Sequence, residues 1–246
     1  MIMQTHFTVV DLETTGLDPK RDKIIEIGAI QVENGEIKRT FQTFVNPGRK
    51  LSEKVKELTG IKDEDLEHAP SIETVMKDFL EFVDEECLVG HNILFDFSFL
   101  KRAAVNCGLT FERGGIDTLR LSRVFLLELQ SRTLPALCQH FQIDHNPHRA
   151  LDDVFATYEL YKKLQELFYE KNPELFQPQK LIYQVKKEGP VTAKQLEQIQ
   201  RILLYHQLTE QYNCPDSPDY MDFQKMTKNE ASRFIDLLIL RHGRCH

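Results

Sequence analysis

Three short segments of this 246-residue chain set acidic side chains in unusually apolar company. In Val9-Val10-Asp11-Leu12-Glu13 two carboxylates stand two residues apart at the end of an apolar run. An extended chain therefore projects both from one face. Removing two like charges from water together is costly unless a cation joins them, whereas a strand that stops at Asp11 leaves both solvated. Val89-Gly90-His91-Asn92-Ile93-Leu94-Phe95-Asp96 runs an apolar strand into a helix with Asp96 in its first turn, a place where the helix dipole alone favours an acid. His148-Arg149-Ala150-Leu151-Asp152-Asp153 opens a further helix with an acid pair and a nearby imidazole, which a solvated helix start would also accept. Each segment alone has an ordinary reading. Their occurrence together in one chain points to a carboxylate site.

The surrounding elements explain how such segments could converge. Residues 7–12, 24–32 and 37–45 read as strands, the second and third joined by the hairpin signal Asn34-Gly35 and the third ended by Asn46-Pro47-Gly48. A short helix is expected over 52–58. An amphipathic one follows Ser71-x-x-Thr74 through Val75, Phe79, Leu80, Phe82 and Val83. Residues 87–90 form a short buried strand leading into a helix through Phe95, Phe99, Leu100 and Ala103, and 115–118 a last short strand before helical patterns that run to Tyr169. Strands first paired as a hairpin and then interleaved with helices imply a mixed sheet covered by helices, an α/β architecture. Asn172-Pro173 and Gln177-Pro178-Gln179 interrupt the pattern and mark a boundary near residue 175. Beyond it, Thr192-x-x-Gln195 and Thr227-x-x-Glu230 each precede an apolar stripe as a capping box, so two helices should pair into a small helical module.

Composition narrows the class. Sixteen Phe against no Trp, with 41% apolar and 28% charged residues, can fill a core and exclude a disordered or fibrous chain. No apolar run approaches the ~18 residues a membrane span needs, so a cytoplasmic protein without membrane attachment is expected. Five scattered cysteines with no C-x-x-C argue against a disulfide framework and a zinc ribbon. The net charge of -7 does not suit a protein that coats nucleic acid by phosphate neutralisation. The acidic excess lies in the first 170 residues, while the tail is slightly basic.

Asp11-x-Glu13, Asn92-x-x-x-Asp96 and His148 followed by four residues and Asp153, in this order and after the string VVDLETTG, resemble the DEDDh family of 3'-to-5' exonucleases. That family includes the epsilon proofreading subunit of bacterial DNA polymerase III, the exonuclease segment of the Gram-positive replicative polymerase, ribonuclease T and oligoribonuclease. The resemblance covers residues 5–169. It implies a ribonuclease-H-like mixed sheet of five strands with helices on both sides. Phosphodiester hydrolysis needs an activated water and neutralisation of a charged transition state, and two hard cations ~3.5–4 Å apart supply both. Mg²⁺ or Mn²⁺ prefers oxygen ligands, which four carboxylates and no Cys provide. By resemblance Asp11 bridges both cations, Glu13 and Asp153 complete one, Asp96 serves the other through water, and His148 deprotonates the attacking water.

The family spacing alone selects Asp153 over Asp152, and His145 stands as a second candidate base. The resemblance also assigns the terminal nucleotide to Thr14, Thr15, Gly16 and Leu17, with Leu17 as an apolar wedge, and to His91, Asn92 and Phe95; core packing is the other reading of Leu17 and Phe95. Residues 1–170 are thus expected to be the exonuclease domain and 180–246 a helical module of unassigned role. The expected activity is release of nucleoside 5'-monophosphates from single-stranded or frayed 3' ends of DNA. RNA trimming is the same-class alternative, and a non-catalytic scaffold for a DNA polymerase is the different-class one. A polymerase partner would attach through the C-terminal module.

Overall fold

The structure is a computed structural model and describes residues 4–245. Its centre is a mixed sheet in the order β3-β2-β1-β4-β5-β6. β1 (His6–Thr14) pairs antiparallel with β2 (Ile24–Glu33), and β2 antiparallel with β3 (Glu36–Phe44). On the other side β1 runs parallel to β4 (Cys87–Gly90), and β4 parallel to β5 (Gly114–Asp117). β2 is buried along nearly its whole length because both faces of the sheet are covered, which is why its sequence reads as mostly apolar.

Side-chain alternation along β1 sorts the two cores. Val10 and Leu12 face α3 (Ile72–Val83) and α4 (Ile93–Asn106), packing with Met76, Phe79, Phe97 and Leu100. Phe7 and Val9 face α5 (Thr118–Phe125), α6 (Leu134–Phe141) and α7 (Ala150–Phe168), packing with Leu137, Val154, Leu160 and Tyr161. Asp11 and Glu13 continue the second series, so they fall on the α7 face. Two short helices, α1 (Glu53–Thr59) and α2 (Asp63–Glu67), close a small cluster around Ile25, Leu51 and Ile61.

The sheet has six strands rather than the expected five. The extra one, β6 (Gln179–Lys180), is a two-residue edge strand antiparallel to β5, too short for any sequence periodicity to reveal. It follows a 3-10 turn at Pro173–Phe176 whose Phe176 is buried against Phe125, and Leu181 just beyond it enters the first core. The C-terminal region holds α8 (Ala193–Tyr205), α9 (Thr209–Asn213), a 3-10 turn at Phe223–Lys225 and α10 (Lys228–His242). Both expected capping boxes are formed, at Thr192 with Gln195 and at Thr227 with Glu230. Ile199, Ile202, Leu203, Tyr212, Phe234, Ile235 and Leu238 make its own core. The short α2 and α9 escaped the sequence reading because five residues carry no full amphipathic period. Residues 1–3 and 246 of the two expected segments lie outside the described residues. Among the described residues, no helix is long and apolar enough to cross a membrane.

Candidate active site

β1 outruns its parallel neighbour: β4 pairs only with Phe7, Thr8 and Val9 and then turns into α4. The backbone of Leu12 is left without a strand partner on that side. The Asp96 carboxylate fills the gap, its Oδ1 accepting the Leu12 N–H at 3.1 Å. Asn92 makes this reversal possible by adopting a left-handed conformation (φ 70°) directly before α4, with its N–H donated to Asp117 Oδ1 at 3.0 Å.

The α7 side is set by register. Asp11 lies opposite Gly28, and Glu13 opposite Glu26. A Cβ on Gly28 would stand 2.5 Å from the Ala150 carbonyl carbon, so the missing side chain lets the first turn of α7 press onto the sheet. Glu26, fully buried, then holds that turn: its carboxylate accepts from Arg149 Nη2 at 3.1 Å, from Arg149 Nε at 3.3 Å and from the Ala150 N–H at 3.3 Å. Asp153, one turn on, is delivered to the strand. Single ligand atoms of Asp11, Glu13 and Asp153 lie within 4.8 Å of one another. Asp152 points elsewhere and accepts from Asn146 Nδ2 at 3.2 Å. Glu26 and Arg149 were missed by sequence reasoning, although an acid inside the apolar stretch Ile24-Ile25-Glu26-Ile27 was a signal.

Electrostatics follow from this crowding. Burial, then Asp96, Asp153, Glu13 and Glu26, hold the Asp11 carboxyl well above the usual carboxylate range. Glu13 is pushed up to about 8 by burial and by Asp153 and Glu26, with Arg149 opposing. Burial likewise raises Asp96 well above its ordinary value, against the hydrogen bonds it accepts. Oxygen donors this close, with Asp11, Glu13 and Asp96 each disfavoured as an isolated anion, fit a hard divalent cation, whose charge would reverse that preference.

The two histidines of the third segment behave differently. His145 is almost fully enclosed, with Nε2 2.6 Å from Asp153 Oδ1. His148 sits at φ 72° with an exposed side chain, while its N–H donates to Asp153 Oδ2 at 3.0 Å. Both oxygens of Asp153 are therefore engaged by the 145–148 loop.

Of the residues expected to meet a terminal nucleotide, Leu17 is 83% exposed, which sets aside core packing for it. Phe95 is half-buried and packs on Phe99, ring centroids 5.0 Å apart, at the edge of the first core. The Thr14 hydroxyl donates to the Gly16 carbonyl at 2.7 Å. Thr15 belongs to the stem of the same loop, its N–H bonded to the Lys23 carbonyl at 2.9 Å. Gly16 faces the Asp22 carboxylate so closely that a Cβ would stand 2.5 Å from it. Asn92 is exposed beside Asp96. His91 is committed inside the protein, with Nδ1 3.0 Å from the Thr118 hydroxyl and Nε2 3.0 Å from the Arg132 carbonyl. Burial lowers its pKa, and because a carbonyl only accepts, Nε2 is the donor to Arg132.

Comparison with known proteins places these features in a family. A curated DNA polymerase III PolC-type from Caldanaerobacter subterraneus subsp. tengcongensis is 43% identical over 170 residues, which is 68% of this chain but only 12% of that protein. This chain thus spans about an eighth of the length of such relatives. Among solved structures, the zinc-bound E. coli ExoI–ssDNA complex superposes with a TM-score of 0.62 at 21% identity over 70% of this chain and 42% of that one. Exonuclease X in complex with 5' overhanging duplex DNA gives 0.55 at 24% identity over 70% and 99%. The Exonuclease family profile, RNase_T, matches residues 8–161, which run from β1 past Asp153 into α7. This chain belongs to that exonuclease family.

Proposed function

We propose that the chain is a divalent-cation-dependent exonuclease that removes nucleoside 5'-monophosphates from single-stranded or frayed 3' ends of DNA, in proofreading or repair. The observation that carries this reading is the convergence of Asp11, Glu13 and Asp153 at one point, with Asp96 bonded to the same strand. Asp11, Glu13, Asp96 and Asp153 would hold two Mg²⁺ or Mn²⁺ ions, which when bound supply neutralisation of the phosphate charge and acidify water. The water oxygen attacks phosphorus and the P–O3' bond breaks; the water's proton passes to His148, and the departing 3' oxygen takes a proton from solvent. His148 suits this task because its exposed ring is free to approach an incoming phosphate, whereas His145 is already bonded to Asp153.

Leu17 and the 14–16 backbone would meet the last nucleotide, with Asn92 and Phe95 on the opposite wall; His91 would shape that wall through its backbone. Residues 1–170 are assigned as the exonuclease domain and 180–246 as an appended helical module. Likeness to PolC-type polymerases over 170 residues supports DNA as substrate and a polymerase as partner. A panel of end-labelled single-stranded DNA, mismatched duplex and RNA of equal length tests the substrate assignment. Faster shortening of the single-stranded DNA is expected. Faster shortening of the RNA than of either DNA would replace this reading with RNA trimming.

A further inference from the structure

The loop of residues 15–23 leaves the strand that carries Asp11 and Glu13, turns through exposed Leu17 and returns into β2. It is held from three sides. Within the loop, the Lys23 N–H donates to the Thr15 hydroxyl at 3.0 Å and the Asp18 N–H to Asp22 Oδ2 at 3.0 Å. From the segment after β3, Arg49 Nη2 donates to the Thr15 hydroxyl, to the Arg21 carbonyl at 3.1 Å and to Asp22 Oδ1 at 3.3 Å.

The third side is the C-terminal module. Glu230 Oε1 lies 2.7 Å from Lys23 Nζ, and Arg233 Nη2 donates to the Lys20 carbonyl at 3.0 Å. Met221 bridges to Arg49, and the Asp222 N–H donates to the Gly48 carbonyl at 3.2 Å, so the module also braces the arginine that ties the loop stem. Glu230 is fixed before it meets Lys23: its Oε2 accepts the Thr227 N–H at 2.8 Å in the capping box of α10. Phe234 and Ile235, next to Arg233, are buried in the module core. The grip therefore comes from a packed helix, not from a mobile tail.

We propose that the C-terminal module positions the 15–23 loop for the reaction, with Glu230 and Arg233 as positioning residues that act through Lys23 and Lys20 on Leu17. This rests on the exonuclease reading above. A splint of this kind governs how firmly the last base is held and leaves the acidic cluster itself untouched. Its signature belongs in KM and in dependence on the terminal base.

The test measures kcat and KM on 5'-labelled single-stranded DNA that ends in an ordinary nucleotide or in an abasic residue. Full-length protein is compared with Glu230→Gln, which keeps a side chain able to complete the capping box, with Arg233→Ala, and with both together, each in the presence and absence of Leu17→Ala. The double variant should raise KM ~5–10-fold on the ordinary end with kcat nearly unchanged. It should have no effect on the abasic end and none beyond that of Leu17→Ala alone, the non-additivity of groups acting through one another. An unchanged KM, or a rise that is equal on both ends and additive with Leu17→Ala, overturns the proposal and leaves the module as a stabilising cap. If the double variant melts below the assay temperature, Arg233→Ala alone carries the same comparison. Failure of the exonuclease reading looks different: the wild-type chain then releases no mononucleotide from either end.

Discussion

Asp11, Glu13 and Asp153 bring carboxylate oxygens within 4.8 Å of one another, and burial together with the neighbouring acids holds the Asp11 carboxyl well above the usual range, so like charges oppose one another at the site. Asp11→Asn keeps the shape and removes one charge. It should abolish activity while leaving the melting temperature equal or higher, read by calorimetry beside the nuclease assay. His148→Ala should lower the rate ~10²–10⁴-fold, the usual share of a general base. His145→Ala should cost less, because that ring is already bonded to Asp153; the reverse order in a side-by-side assay would transfer the base to His145. The motif positions were legible because two-residue and five-residue spacings survive in the sequence. Glu26 was not, since only the antiparallel register sets it opposite Glu13. Nor was the left-handed turn at His148, nor the enclosure of His145 on Asp153.

At the scale of elements, the site depends on how closely α7 approaches the sheet. Gly28→Ala forces a Cβ against the Ala150 backbone, an overpacking that should cost ~1–3 kcal/mol in thermal or urea unfolding. Its activity should fall further than its stability, because even a ~1 Å displacement of a reacting group can cost ~10²-fold. α10 offers a pH test. Burial pushes the Glu230 carboxyl up, but Lys23 and Thr227 outweigh it and leave the group below its ordinary value. A carboxyl depressed in the folded state contributes stability above its unfolded pKa of ~4.3 and loses it as pH falls through the folded value. Wild type should therefore melt above Glu230→Gln at pH ~7, and the gap should close in acid; a gap that persists there would remove the ion pair as its source. Helix starts such as Thr192 and Thr227 were readable because capping boxes are local, whereas the contacts of Glu230 and Arg233 with the 15–23 loop span about 200 residues of sequence and leave no periodic trace.

The whole molecule is more closely joined than its proline-marked break suggests. Phe176 stacks on Phe125 with ring centroids 5.9 Å apart, and Leu181 and Tyr183 pack on the first core, so the segment after the break closes the body before the helical module begins. Phe176→Ala should destabilise the chain by ~3–5 kcal/mol, measurable by denaturant unfolding, although the residue lies outside the matched family segment. The α/β class and the places of the first five strands along the chain were legible from apolar runs and turns, whereas their order in the sheet was not. The sixth strand was not, because its two residues take their conformation from β5. Residues, elements and whole chain meet in the proposed activity, hydrolysis of nucleic acid from a free 3' end at a carboxylate cluster that would hold divalent cations. The direct measurement follows a 5'-labelled single-stranded DNA and a covalently closed circle of the same sequence, each with Mg²⁺ and with excess EDTA. The expected result is stepwise shortening of the linear strand with release of 5'-monophosphates in Mg²⁺ alone, and an intact circle throughout. Equal shortening in EDTA, or cutting of the circle at the rate of the linear strand, would contradict it.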